Sequence, residues 1–166
     1  MPQKVVTTNS KNFFFFKKSN YRLISIDYGK RKLGFALTNN ELSMALPLNI
    51  KQCKQIKDLE KSFIEKIEII KKYIKEYKIW GIIIGLPLNM DGTDSKSSEE
   101  VRKFSNLLLL ELELPILLQD ERLTSMAADS LLKDAGFSRK ERNEKDDMVA
   151  AQLIAESALE QMKRNL

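Results

Sequence analysis

The sequence predicts an α/β chain built on one mixed sheet of five strands, an antiparallel three-strand meander plus two parallel strands, with helices on both faces. Three observations lead there. Strand-like runs at Tyr21–Asp27, Leu33–Thr38 and Met44–Leu48 follow one another with only short turns between them. Two continuous apolar runs, Trp80–Ile84 and Pro115–Gln119, then alternate with segments of helical period. The whole chain has 166 residues, enough for one stable core and too few for two large ones.

The elements are justified in chain order. Residues 1–20 are Ser-, Asn-, Thr- and Lys-rich and show no strand or helix period apart from Phe13-Phe14-Phe15-Phe16, so they read as a flexible N-terminal extension to a domain spanning 21–166. Four phenylalanines are too few for a signal-peptide core or a membrane span, and their expected use is to pack on the domain. Gly29 turns the first strand into the second, and Asn39-Asn40 turns the second into the third. Ile56, Leu59, Phe63, Ile67, Ile70 and Ile74 recur at steps of three and four among lysines and glutamates, the signature of an amphipathic helix. Trp80–Ile84 has the unbroken apolarity of a strand covered on both faces, and ends at Gly85-Leu86-Pro87. A polar loop opens into a helix from about Ser95 to Leu112, and Pro115–Gln119 is the second buried strand. Helices at about Thr124–Lys133 and Asp146–Met162 complete the chain, separated by Gly136 and a charged stretch.

Composition narrows the chemistry. The chain has no histidine, which excludes Ser-His-Asp triads, Cys-His pairs and histidine-ligated zinc or iron. Its one cysteine, Cys53, excludes an internal disulfide and fits a reducing, cytoplasmic setting. The formal charge of +5 resembles a nucleic-acid signal, but Lys4, Lys11, Lys17 and Lys18 supply nearly all of it, so a phosphate-binding surface on the domain must be a local patch. Catalysis in such a chain falls to carboxylates, and hard oxygen ligands suit Mg2+ or Mn2+.

Three acids are placed for that role. Asp27 ends the first strand, Glu121 follows the last, and ligands of open α/β sheets bind outside the carboxyl ends of strands. Asp147 is expected in the first turn of the final helix, where Ala150, Ala151, Ile154 and Ala158 follow on the same side and let the helix lie close to the sheet. Such acids repel one another unless cations sit between them, and two cations about 4 Å apart activate a water and stabilise the leaving oxygen of a phosphodiester. Taken singly, each signal has a plainer reading: Asp27-x-Gly29 as a turn, Asp146 and Asp147 as favourable charges at a helix start, and Glu121 with Arg122 as an ion pair. Their common position round one sheet is what points to a site.

The blocks Ile26–Ala36, Gly85–Gly92, Asp120-Glu121-Arg122-Leu123-Thr124-Ser125 and Asp147–Ala151 resemble, in order, those of the YqgF family. These are bacterial proteins described as pre-16S rRNA nucleases and as Holliday junction resolvase-like. The likeness covers roughly residues 21–160. It implies a ribonuclease H-like fold, a cytoplasmic location and metal-dependent nuclease chemistry on structured RNA, with four-way branched DNA as the alternative substrate and a non-catalytic nucleic-acid-binding module as a second alternative. By resemblance, Asp27, Glu121 and Asp147 are catalytic metal ligands, and Arg31, Asn89, Arg122 and Thr124 are nucleic-acid contacts. Asp146 departs from the family's usual apolar residue and leaves two adjacent candidates for the helix ligand; the alanine spacing favours Asp147. No nucleotide cofactor and no membrane association are expected, and the chain is expected to be a monomer or a homodimer.

Overall fold

The computed structural model describes residues 3–122 and 124–165, with Ser125 described through its backbone alone. Met1, Pro2 and Leu166, at the ends of the expected extension and domain, and Leu123 of the acidic block lie outside them. In chain order the elements are β1 (Val6–Thr7), α1 (Ser10–Phe14), β2 (Arg22–Tyr28), β3 (Lys32–Thr38), β4 (Ala45–Gln52), α2 (Leu59–Glu76), β5 (Ile79–Leu86), α3 (Lys96–Leu112), β6 (Ile116–Asp120), α4 (Thr124–Asp134) and α5 (Arg139–Arg164).

One sheet holds every strand in the order β1-β6-β5-β2-β3-β4. The β2-β3-β4 meander is antiparallel, while β5 runs parallel to β2, and β6 and β1 continue in parallel. This is the ribonuclease H-like arrangement expected, with one correction: among the described residues the sheet has six strands, not five. The sixth comes from the segment read as an extension, where Val6 and Thr7 pair with Ile116 and Leu117. Two residues are too short to leave an alternating pattern in sequence.

Side chains alternate across the sheet and build two cores. On one face Ile24, Ile26, Phe35, Ile82, Ile84 and Leu118 pack under α2 and α3, against Phe63, Ile67, Phe104 and Leu108. On the other, Leu23, Trp80, Ile83 and Leu117 pack under α5, against Ile154, Ala155 and Ala158, with Phe13 of α1 filling the end. Phe13 lies 5.0 Å from Trp80, ring to ring, and is wholly buried because Gly81 leaves room beneath it.

The final helix departs from expectation in a way that matters for the site. It begins at Arg139, about two turns before Asp146, so Asp147 lies well inside it. The start carries a capping box, the Ser138 hydroxyl accepting from Glu141 N–H and the Glu141 carboxylate accepting from Ser138 N–H. The two extra turns lack apolar residues and so gave no hydrophobic period, but Ser138-x-x-Glu141 was a legible start signal. Favourable charge at a helix start therefore does not explain Asp146 or Asp147.

Candidate functional site

Asp27 occupies the carboxyl end of β2 on the face that α5 covers, paired across the hairpin with Gly34 of β3. Gly34 is there because α5 touches the sheet at this point: a Cβ would overlap the Asp147 backbone carbonyl. The helix is further tied down by the Ser25 hydroxyl, which donates to Ala151 O at 2.7 Å, and by Gln152 Nε2, which donates to Ala45 O at 3.1 Å. Asp147 is thus carried over Asp27 by backbone contact between helix and strand. On the other side, Glu121 leaves the end of β6, its N–H donating to Leu86 O at 3.2 Å, and its carboxylate lies over Gly85, where a Cβ would overlap it. Each glycine makes space for one acid.

The acids feel one another. Burial, then the charges of Glu121 and Asp147, push the Asp27 carboxyl well above its ordinary range; a contact with Asp147 adds to the shift and Lys32 opposes it. Glu121 is pushed up to about 7 by burial and by the charges of Asp120 and Asp147. Asp146 is raised too, by burial, Asp129 and Asp147, against Lys32 and Arg142. Lys32 Nζ stands 2.7 Å from Asp147 Oδ2, an ion pair whose angles do not make a hydrogen bond, and this buried oxygen otherwise has no partner. Among the described residues no three such side chains are gathered as a finished metal cage. The donor set nonetheless fits a hard divalent cation: three carboxylates, one with a buried oxygen that has no hydrogen bond, at the sheet end where strands deliver ligands.

The residues expected to touch nucleic acid are dispersed round this centre. Arg31 is exposed in the β2–β3 turn. Asn89 spends both amide hydrogens within its own loop, on Thr93 Oγ1 at 3.0 Å and Asp94 O at 3.1 Å, so its amide shapes the loop. Arg122 is held by Asp120 at 2.6 Å and donates to Met90 O at 3.1 Å, tying the 89–92 loop to the end of β6. Thr124 starts α4, its N–H donating to Glu121 O at 2.9 Å. Lys32 was missed by the sequence reading, as were the two cradling glycines. For Gly34 a signal existed, since a lone glycine within a strand marks close backbone approach. Nothing in the sequence marked the Lys32 pair.

A family model described as "RuvX: Holliday junction resolvase" matches residues 21–161. A protein of Rickettsia africae (strain ESF-5) is 43% identical over 159 residues, covering 96% of this chain and 99% of its own length. One of Rickettsia bellii (strain OSU 85-389) is 43% identical over 160 residues with the same coverage, and both carry the name "Putative pre-16S rRNA nuclease". Among solved structures, Thermus thermophilus RuvC in complex with a Holliday junction substrate superposes with a TM-score of 0.54 at 12% identity, covering 86% of this chain and 96% of its own. The fowlpox virus Holliday junction resolvase gives 0.51 at 14% identity, covering 84% and 99%. At such identities the likeness is one of fold.

Proposed function

Because the chain belongs to the YqgF family, matched over residues 21–161, we propose that it is a metal-dependent nuclease that hydrolyses phosphodiester bonds of structured nucleic acid in the cytoplasm, processing the 5′ end of precursor 16S rRNA. The observation that carries this reading is the convergence of Asp27, Glu121 and Asp147, from two strand ends and a helix, into mutual electrostatic contact.

Asp27, Glu121 and Asp147 would hold Mg2+ or Mn2+. Divalent cations so held lower the pKa of water and neutralise charge on a phosphodiester, chemistry that needs no histidine. Asp27 is the central acid, since its strand lies between β3, whose Gly34 meets Asp147, and β5, whose Gly85 meets Glu121. Lys32 pairs with Asp147 and would offer a cation to a phosphate oxygen bound beside the acids. Asp147, not Asp146, is the helix ligand: its backbone rests on Gly34 and its side chain meets Asp27, whereas Asp146 feels Asp147 and Lys32 only alongside Asp129 and Arg142, and does not act on Asp27. Arg31 and Thr124 contact the nucleic acid backbone from the rim, while Arg122 and Asn89 keep the 89–92 loop in place for it. No helix among the described residues is long and apolar enough to cross a membrane.

The test is incubation with precursor 16S rRNA and, separately, with a four-way DNA junction, in Mg2+ or Mn2+. Wild type is expected to shorten the rRNA precursor at its 5′ side, and Asp27→Asn and Asp147→Asn to leave it intact. Cleavage of the junction alone would transfer the assignment to branched DNA. Cleavage surviving both substitutions would contradict the site.

A further inference from the structure

On the opposite face of the sheet, just beyond the end of β2, a cavity of about 330 Å3 opens between the β2–β3 turn and the start of α2. Its volume is at the lower end of the range of small-ligand sites. Its lining carries Lys30, Arg31, Lys57 and Lys66 against a single acid, Glu100. Lys66 is the unusual member, for it is a wholly buried lysine. Its ammonium donates to Ser62 Oγ at 2.9 Å and to Lys30 O at 3.2 Å, and lies 5.5 Å from the Tyr28 ring centre. That uses two of its three hydrogens. Among the described residues it makes no ion pair. Glu100 stands in the cavity wall beside Tyr28, and Glu65 accepts from Lys54 N–H at 3.2 Å through one carboxylate oxygen while its other oxygen is buried without a partner.

Lysine is almost never fully buried unless paired, because a lone buried charge costs far more than a hydrogen-bonded one. A neutral core would be served by Met or Leu at this position. Lys66 has only neutral hydrogen-bond partners, and with the three exposed cations at the mouth it leaves the cavity lining with four positive groups against one carboxylate, in a space with ample room for a phosphate group.

We infer that this cavity is a phosphate subsite, with Lys66 at its floor and Lys30, Arg31 and Lys57 at its rim, which takes one phosphodiester of the substrate strand away from the bond that is cut. The assignment to the substrate strand rests on the nuclease reading: the turn that lines the cavity is the one that follows Asp27, so a strand crossing the carboxyl end of β2 passes both. A phosphate held here fixes the register of the strand across the acids and adds a contact that does not depend on metal.

The test uses the full chain in EDTA and a fluorescent RNA strand of about twelve nucleotides, within the usual size of a single-strand binding site. Lys66→Met keeps the apolar stem, and Lys57→Gln at the exposed rim guards against misfolding, with thermal melts run on both. Wild type is expected to bind, Lys66→Met to bind about tenfold more weakly, and Lys57→Gln about threefold, each lowering the slope of log Kd against log salt by about one. Weakening in Lys57→Gln alone, with Lys66→Met unable to fold, also supports the subsite. Wild-type affinity and slope in both variants overturn it while leaving the nuclease standing. Loss of inorganic phosphate binding in Lys66→Met with RNA binding unchanged overturns the assignment to the strand and points to a free phosphate ligand. No RNA binding and no cleavage by wild type overturn the nuclease reading itself.

Discussion

Asp27 lies between Glu121 and Asp147, and its carboxyl keeps a proton more readily than it would in water because burial and both neighbours oppose its charge. Glu121, at about 7, does the same against about 4.3 for an unfolded chain. Between those two values the folded protein holds protons that the unfolded chain has lost, so its stability falls as pH rises. The contribution is full below about pH 4 and is lost as pH rises through about 7. Thermal melts in EDTA should therefore show a lower Tm at about pH 8 than at about pH 5, and Mn2+ should restore it at the higher pH. Asp27→Asn removes the central charge and is expected to raise the metal-free Tm at about pH 8 by a few degrees while abolishing cleavage, an opposition that a merely structural residue would not show. At this scale the positions of the three acids were legible in the sequence, since Asp27 lies near the end of a strand, Glu121 follows one and Asp147 heads an alanine face. Lys32 was not legible, because an ion pair across a sheet and a helix leaves no spacing to read. Asn89 was read as a contact, but its amide hydrogens turn inward, and only the fold of its loop reveals that.

The elements set how closely the acids can approach. The last helix reaches the sheet because Gly34 and a line of alanines leave no side chain between them, and the Ser25 hydroxyl bonds to its Ala151 carbonyl. Gly34→Ala should lift α5 from the hairpin. The expected cost is about 1–3 kcal/mol, as for other overpacked cores, with loss of cleavage beyond what the loss of stability explains. Denaturant unfolding and a cleavage assay on the same preparation separate the two. The capping box predicts a different result: Ser138→Ala should cost about 1 kcal/mol with cleavage retained, since the cap is two turns from Asp147. The types of β2 to β6 and of the helices α2 to α4 were legible from periodicity, apolar runs and turn residues. The start of α5 was hidden because its first two turns are all polar, and a helix with no apolar face there is recognisable only from its cap.

Across the whole molecule, residues 6–14 complete the fold. The sixth strand covers the β6 edge, and Phe13 is buried against Trp80, so Phe13→Ala should cost about 3–5 kcal/mol, measured by denaturant unfolding. A run of four phenylalanines after a polar stretch gave the sequence reading its packing role but not its secondary structure, which depends on an edge and a glycine distant in the chain. The sheet that these pieces complete brings β2, β6 and α5 together at one end, and the account depends on the three carboxylates they deliver binding the same cations. Calorimetric titration of the metal-free protein with Mn2+ tests this most directly. Wild type is expected to bind, and Asp27→Asn, Glu121→Gln and Asp147→Asn each to weaken binding by at least about tenfold, the scale at which even indirect ligand partners act. Undiminished Mn2+ binding by the protein carrying all three substitutions would contradict it.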